Sequence, residues 1–193
     1  MTLFQKRGYD QVTVAEIAEE AGLTRRTFFN YFNDKREIFF RGAAAFHESV
    51  IDYLNAVPPD VPPLEAAVEA LTQAGTAIGD YREYATAVRA LIDTSPELNE
   101  RNLAKMHSVA SGLAAGLERR GTDPRTAHMA AHSAVTAYQA AWLDWGQHPE
   151  RNFTDLMQQA IVDLRQAIRT PTHEHAGTGG REPLRAQACL PSA

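Results

Sequence analysis

Residues 13–31 read TVAEIAEEAGLTRRTFFNY, and they contain the strongest local signals for the fold of the first part of the chain. Apolar residues recur at helical spacing on both sides of Gly22, which predicts two short helices over 13–21 and 24–31. Two helices that cross steeply need a small residue at the contact, which is Ala18, and a turn residue that tolerates positive φ, which is Gly22. The pattern therefore predicts a helix-turn-helix. Its other apolar positions are Ile17, Ala21, Leu23, Phe28 and Tyr31.

The distribution of charge around this motif favours a nucleic-acid partner. The whole chain has a net charge of −5, but residues 24–41 hold five Lys and Arg against two Asp and Glu. A short basic face on an acidic body is typical of a protein that binds DNA at one end. The alternative is an αα-hairpin with no DNA role, on which the basic residues cluster by chance.

The remainder of the chain also shows the helical period, which predicts an all-α protein. One helix is expected from about Lys35 to Leu54, followed by a stiff proline-rich connector at 58–63. Ser95-Pro96 and Asp123-Pro124 have the residue types that begin helices. We expect a helix-turn-helix domain at 1–41, a helical ligand-binding and dimerisation domain at 42–169, and a disordered tail at 170–193.

Several function classes lack their sequence signals. No nucleophile elbow, Gly-rich phosphate loop or carboxylate pair is found, so we expect neither an enzyme nor a cofactor. The single cysteine, Cys189, and the absence of a signal peptide or long apolar run favour a cytoplasmic protein with no membrane partner. His128 and His132 have the spacing of two ligands on one helix face, but no third ligand lies a turn away. We interpret them as surface or interface histidines, with no metal site.

A family pattern runs through the first 40 residues. It is carried by Leu3-Phe4, Gly8-Tyr9, Thr13-Val14, Ile17-Ala18, Ala21 to Thr24, Thr27 to Phe29, Tyr31-Phe32, Lys35 and Ile38. In this pattern the chain resembles the tetracycline-repressor (TetR) family. The resemblance implies a cytoplasmic DNA-binding transcriptional regulator, in general a homodimeric repressor that a small ligand releases from an inverted-repeat operator. A relative that acts through protein contacts without binding DNA is the alternative. The segment with Leu91, Ile92, Thr94 to Leu98, Arg101 and Leu103 is similar to an actinobacterial subgroup that includes mycofactocin-associated regulators.

The resemblance also implies roles for individual residues. Thr13 and Thr24 cap the two helices of the motif, and Thr13 provides a phosphate seat. Arg25, Arg26 and Thr27 lie in the first turn of the recognition helix, from which side chains reach base edges. The resemblance also implies that Asn30 contacts a base or a phosphate and that Tyr31 and Lys35 contact phosphates. Phe29 is at a further DNA-contact position, but it lacks the hydroxyl of the tyrosine that the family often has there.

The start of the chain departs from the family pattern. A full helix usually precedes this motif and covers it, whereas Met1 to Arg7 form about two turns. Either the native start codon lies upstream, which we expect, or this domain is less stable than those of its relatives.

Two further predictions concern the helices after residue 42. A small and aromatic stripe over 127–145 and an apolar stripe over 153–168 predict an intersubunit four-helix bundle, with an intrachain core as the alternative. The interface residues are expected to be Ala127, Ala131, Ala134, Tyr138, Trp145, Leu156, Ala160, Ile161 and Leu164. Large side chains on inward stripes predict a pocket for a hydrophobic or amphipathic ligand, although each could be ordinary core. These are Phe46, Tyr84, Met106, Tyr138 and Trp142.

Overall fold

A computed structural model describes residues 1–77, 82–148 and 150–169, and every regular element in these ranges is an α-helix. The predicted all-α fold is confirmed. No helix in the described ranges combines the length and apolar character needed to cross a membrane. The expected tail at 170–193, with Cys189, lies outside the described residues. The helices are α1 (Thr2–Arg7), α2 (Val14–Glu20), α3 (Arg25–Tyr31), α4 (Glu37–Phe40), α5 (Ala43–Ala56), α6 (Pro63–Thr76), α7 (Arg82–Thr94), α8 (Pro96–Arg119), α9 (Pro124–Gln147) and α10 (Phe153–Arg169).

The helix starts follow the signals in the sequence. The Ser95 hydroxyl accepts a hydrogen bond from the Leu98 N–H, and the Asp123 side chain accepts one from the Thr126 N–H, so both residues cap orphan amides as expected. Gly22 has a φ of 65°, so the α2–α3 turn uses a residue that tolerates positive φ, as predicted. These local features fix where the helix-turn-helix, α8 and α9 begin.

Two apolar cores hold the helices together. The larger core is built from α5, α6, α8, α9 and α10. The smaller core joins Phe4, Tyr9 and Val12 of the N-terminal segment to Leu91 and Ile92 of α7, and it also includes Leu98 at the start of α8. Partly buried residues of α4 pack against it. The helix-turn-helix region is therefore attached to the rest of the chain through shared apolar contacts.

The single helix expected from Lys35 to Leu54 is wrong. The chain forms α4 and α5 as separate helices, with Gly42 as the N-cap residue of α5 at φ −82° and ψ 2°. The two helices serve different cores, because Phe39 of α4 packs on the smaller core and Phe46 of α5 lies in the larger one. A glycine at the junction lowers the preference for continuing the helix.

The predicted dimer-interface residues are also placed differently. All of them except Leu164 are buried within the single chain, and Leu164 packs against the same core. Helices α6 and α9 pack against each other, and both contribute alanines to the larger core, where small residues allow helix axes to approach closely. The stripe we assigned to an intersubunit bundle is thus intrachain core, the alternative interpretation of the pattern.

Candidate DNA-binding surface and ligand cavity

The first turn of α3 presents two exposed arginines to solvent. The Thr24 hydroxyl accepts a hydrogen bond from the Thr27 N–H at 3.1 Å, which caps α3 as predicted. The two hydroxyls of Thr24 and Thr27 also lie 2.9 Å apart, so they hold each other in place. Arg25 and Arg26 are exposed and form no hydrogen bond or ion pair with any described residue. Their guanidinium groups are therefore available to a ligand.

The rest of the α3 surface is aromatic and polar. Phe28 is buried as predicted, and the centroids of the Phe28 and Phe29 rings are 5.4 Å apart in an edge contact. Phe29 and Asn30 are exposed, and Tyr31 is 65% exposed. The sequence pattern predicts Ala21, Leu23 and Tyr31 at the α2–α3 contact, but all three are exposed, and this part of the prediction is wrong. The helix-turn-helix is short, so α2 covers only one side of α3.

The carboxylate of Glu16 lies at the N-terminus of α2, where a phosphate-binding site was predicted. The Thr13 N–H and hydroxyl both donate to Glu16 Oε2 at 2.8 Å, and the Glu16 N–H donates back to the Thr13 hydroxyl. Hydrogen bonds from Thr13 and from Arg7 lower the pKa of Glu16 to about 2. Thr13 is the predicted cap, but the negative charge of Glu16 stands where a phosphate would have to approach.

Lys35 points into the protein, which corrects the expectation of an ammonium group free to bind phosphate. Its Nζ donates to the backbone oxygens of Tyr9 at 2.8 Å and Val12 at 2.9 Å. The same atom lies 3.8 Å from the centroid of the Tyr9 ring. Lys35 precedes α4 and lies against the segment between α1 and α2, where it adds a donor to two carbonyls that belong to no helix. It therefore positions that segment.

Replacing Lys35 by Met tests this internal role. We expect the variant to lose about 1–3 kcal/mol of stability, because two hydrogen bonds from a charged donor disappear. The dependence of DNA affinity on salt should keep its slope, whereas a direct phosphate contact would lower that slope by about one unit. Thermal melts and DNA titrations at several salt concentrations measure both quantities. An unchanged melting temperature with a reduced slope would restore Lys35 as a phosphate ligand.

A cavity of about 480 Å³ lies where α4, α5, α7, α8 and α9 meet. This volume is within the range of small-molecule sites, about 300–1,000 Å³. The five residues predicted for a pocket, Phe46, Tyr84, Met106, Tyr138 and Trp142, all line it. The five side chains come from α5, α7, α8 and α9, and all are inward-facing except Tyr84, which is 45% exposed at the cavity rim.

The cavity also carries polar groups. Burial raises the pKa of the Tyr138 hydroxyl further above neutral pH, and this hydroxyl can donate a hydrogen bond. The charged side chains of Arg41, Arg89 and Lys105 line the cavity as well, and none of the three was predicted from the sequence. The sequence feature that could have identified Lys105 as a lining residue is its position next to Met106 on the same helix. Long basic side chains usually lie on the solvent face, so this feature did not point to the cavity.

The same cavity touches the helix that connects the two parts of the molecule. Ile38, Phe39 and Phe40 of α4 line it and also pack against the smaller core. The Tyr84 hydroxyl donates to the Ile38 carbonyl at 3.4 Å, so α7 and α4 meet at the cavity wall. A molecule in the cavity would contact α4 directly and, through it, the core of the helix-turn-helix region.

The histidines of α8 and α9 form a surface cluster. The ring centroids of His128 and His132 are 4.2 Å apart, and that of His107 lies 6.0 Å from His132. Burial and the two neighbouring imidazoles lower the pKa of His132. No group of three or more metal-ligating side chains within the described ranges has the arrangement of a metal site.

Comparisons with known proteins give a consistent relationship. Residues 1–41 match the family model of bacterial regulatory proteins of the tetR family, and residues 61–169 match the model of the MftR C-terminal domain. The chain is 28% identical to the HTH-type transcriptional regulator TcmR of Streptomyces glaucescens over 64% of this chain and 58% of TcmR. The chain thus spans less than two thirds of the length of TcmR. It is also 28% identical to the HTH-type transcriptional repressor BepR of Brucella suis, over 89% of this chain and 88% of BepR.

Solved structures agree with this relationship at the level of the fold. The crystal structure of Thermus thermophilus FadR, a TetR-family transcriptional repressor in complex with lauroyl-CoA, aligns with a TM-score of 0.52 and 21% identity. The alignment covers 93% of this chain and 95% of FadR. The matched families consist of regulators, which confirms the interpretation as a regulator rather than an enzyme. The N-terminal motif, the helical second part and both family models together place this chain in the TetR family of bacterial regulatory proteins.

Proposed function

We propose that the protein is a dimeric transcriptional repressor that binds an inverted-repeat DNA operator. It leaves the operator when a hydrophobic or amphipathic ligand fills the cavity where α4, α5, α7, α8 and α9 meet. The observation that carries this proposal is the cavity's α4 wall, which also packs on the core of the helix-turn-helix region. The name of BepR, a repressor, supports the direction of regulation.

The DNA contacts follow from the exposed surface of α3. Arg25 and Arg26 have no competing partner among the described residues, so their guanidinium groups can donate to guanine O6 and N7. Thr27 lies in the same turn, and Asn30 is exposed one turn further on. We assign phosphate contacts to the hydroxyl of Tyr31 and a van der Waals contact with the DNA backbone to the exposed ring of Phe29.

We place the contact between the two subunits on the outward face of α9 and no longer on its inward stripe. This face carries no charged residue over four turns, and it includes Met129 at 61% and Leu143 at 42% exposure. Exposed apolar side chains in line on one helix are typical of a helix-pairing surface. A two-fold axis through this surface would repeat the same contacts on both subunits. The other residues of the face are Ser133, Thr136 and Ala140.

The response to a ligand follows from the position of the cavity. A ligand shifts an equilibrium only if it binds one conformation more tightly than the other. The α4 wall of the cavity belongs to the connection between the two parts, so filling the cavity would favour one placement of the helix-turn-helix region. The complex of FadR with lauroyl-CoA makes acyl compounds the first candidates for the ligand.

Titration of the operator complex with lauroyl-CoA and other hydrophobic metabolites tests this function, with release measured by fluorescence anisotropy. We expect release by at least one compound, and we expect Trp142→Ala to raise the concentration needed by about tenfold, since a large ring is removed from the wall. Leu103→Ala, an exposed position on α8, is the control and should behave as the parent protein. A screen in which no compound released DNA would favour a repressor without an inducer.

A further inference from the structure

The charged residues that line the cavity are all positive. Arg41, Arg89 and Lys105 contribute to the wall, and none of the described lining residues is acidic. Two of the three have other partners: Arg89 forms an ion pair with Asp93 at 2.8 Å, and Arg41 lies over the Phe32 ring at 5.6 Å. The third cation, Lys105, differs from both.

Lys105 has no charged partner within the described part of the chain. Its Nζ lies 4.7 Å from the centroid of the Phe46 ring, and it makes no hydrogen bond or ion pair with a described residue. Burial lowers the pKa of Lys105, and no carboxylate acts against this effect. A partly desolvated ammonium without a counter-charge lowers the stability of the folded protein. If the wall had only a structural role, an apolar side chain at position 105 would give a more stable protein.

We propose that Lys105 binds the anionic head of an amphipathic ligand, while the apolar part of that ligand lies along Phe46, Tyr138 and Trp142. This inference rests on the proposed ligand cavity and adds the charge of the ligand. Asn102 lines the cavity one turn before Lys105, and the buried Tyr138 lines it from the neighbouring helix α9. Both can donate hydrogen bonds to the same head group.

The aromatic wall fits the other half of such a ligand. The rings of Phe46 and Tyr138 have centroids 5.7 Å apart, and those of Tyr138 and Trp142 are 5.9 Å apart. Continuous apolar surface of this kind accepts a hydrocarbon chain without hydrogen bonds to satisfy. An uncharged chain of equal length would gain the apolar contacts but would leave the ammonium of Lys105 unpaired.

Three ten-carbon probes separate charge from hydrophobicity: decanoate, decan-1-ol and decylamine. Binding to the full chain is measured by tryptophan fluorescence, because Trp142 lies on the wall and the chain has two tryptophans. We expect decanoate to bind about tenfold more tightly than decan-1-ol, and decylamine to bind most weakly. Lys105→Met should remove the preference for decanoate and leave the affinity for decan-1-ol unchanged, and Lys105→Arg should retain it.

Two controls guard against a trivial loss of binding. Arg101→Met removes an exposed cation from the same helix outside the cavity and should keep the preference for decanoate. Lys105→Met should melt at an equal or higher temperature than the parent protein, because it removes an unpaired charge from a partly buried site. Equal binding of decanoate and decan-1-ol by the parent protein, equal losses for both in Lys105→Met, or no binding of any probe would each overturn the inference.

The experiment also separates this inference from the proposed function. If decanoate binds through Lys105 but does not release operator DNA, the anion site stands and the inducer role fails. If decan-1-ol releases DNA as well as decanoate does, the inducer role stands and the assignment of Lys105 fails.

Discussion

Replacing Ala140 by Arg is expected to convert the protein into a monomer and to lower its affinity for a two-half-site operator by about 10²–10⁴-fold. Ala140 lies on the exposed, uncharged face of α9, so the new side chain should be tolerated in the single chain. In a two-fold dimer the same face meets itself, and the two introduced charges would repel each other across the axis. Analytical ultracentrifugation at micromolar concentration measures the change in association.

The matched control is Ala104→Arg, which adds the same charge at an exposed position on α8. It should leave both association and operator affinity unchanged, and the melting temperatures of the two variants should be similar. A dimeric Ala140→Arg protein would show that α9 does not provide the contact. A parent protein that is monomeric at this concentration would contradict the dimer itself.

The helix-turn-helix could be predicted from the sequence because its signals are local. The positive φ of Gly22, the small contact residue Ala18 and the cap Thr24 each depend on neighbours within a few positions. Such features act in the same way wherever the rest of the chain lies. The same reason explains why Ser95 and Asp123 were placed correctly at helix starts.

The partner of an apolar stripe could not be predicted from its periodicity. Ala131 and Ala134 show that one face of α9 is buried, but the pattern is the same whether α6 or a second subunit covers it. The structure assigns this face to the intrachain core. The weaker outward pattern of Met129 and Leu143 then becomes the candidate contact between subunits.

The two lysines show a second limit of sequence reasoning. Lysine is a residue type expected at the protein surface. In this structure, however, Lys35 donates to carbonyls of the α1–α2 segment, and Lys105 lines the cavity. A long side chain can bury its stem and direct its ammonium to a distant partner. The partner is set by tertiary contacts, which a single sequence does not reveal.

The second large effect is expected at the recognition helix. The double substitution Arg25→Ala and Arg26→Ala should remove about 1–3 kcal/mol of discrimination for each arginine that forms a bidentate pair of hydrogen bonds with a guanine. In a dimer these hydrogen bonds disappear from both half-sites, so the ratio of operator to random-DNA affinity should fall by at least about a hundredfold. Weak binding to any DNA sequence should remain, because phosphate contacts do not read bases.

Arg125→Ala is the control for this pair, since Arg125 is an exposed arginine at the start of α9. It changes the net charge of the chain without touching α3, and it should keep the operator preference. Competition titrations with operator and random DNA at fixed salt measure both ratios. An equal loss in affinity for both kinds of DNA would assign Arg25 and Arg26 to phosphates.

Selection of binding sites from a random DNA library shows whether the parent protein is a dimer that reads DNA bases through α3. A dimer that reads DNA through α3 should enrich an inverted repeat whose half-sites are about one helical turn apart, near 34 Å. The preferred guanines in each half-site should disappear when the Arg25→Ala, Arg26→Ala protein is used. A parent protein that enriches no sequence would contradict the account and would favour a regulator that acts through protein contacts.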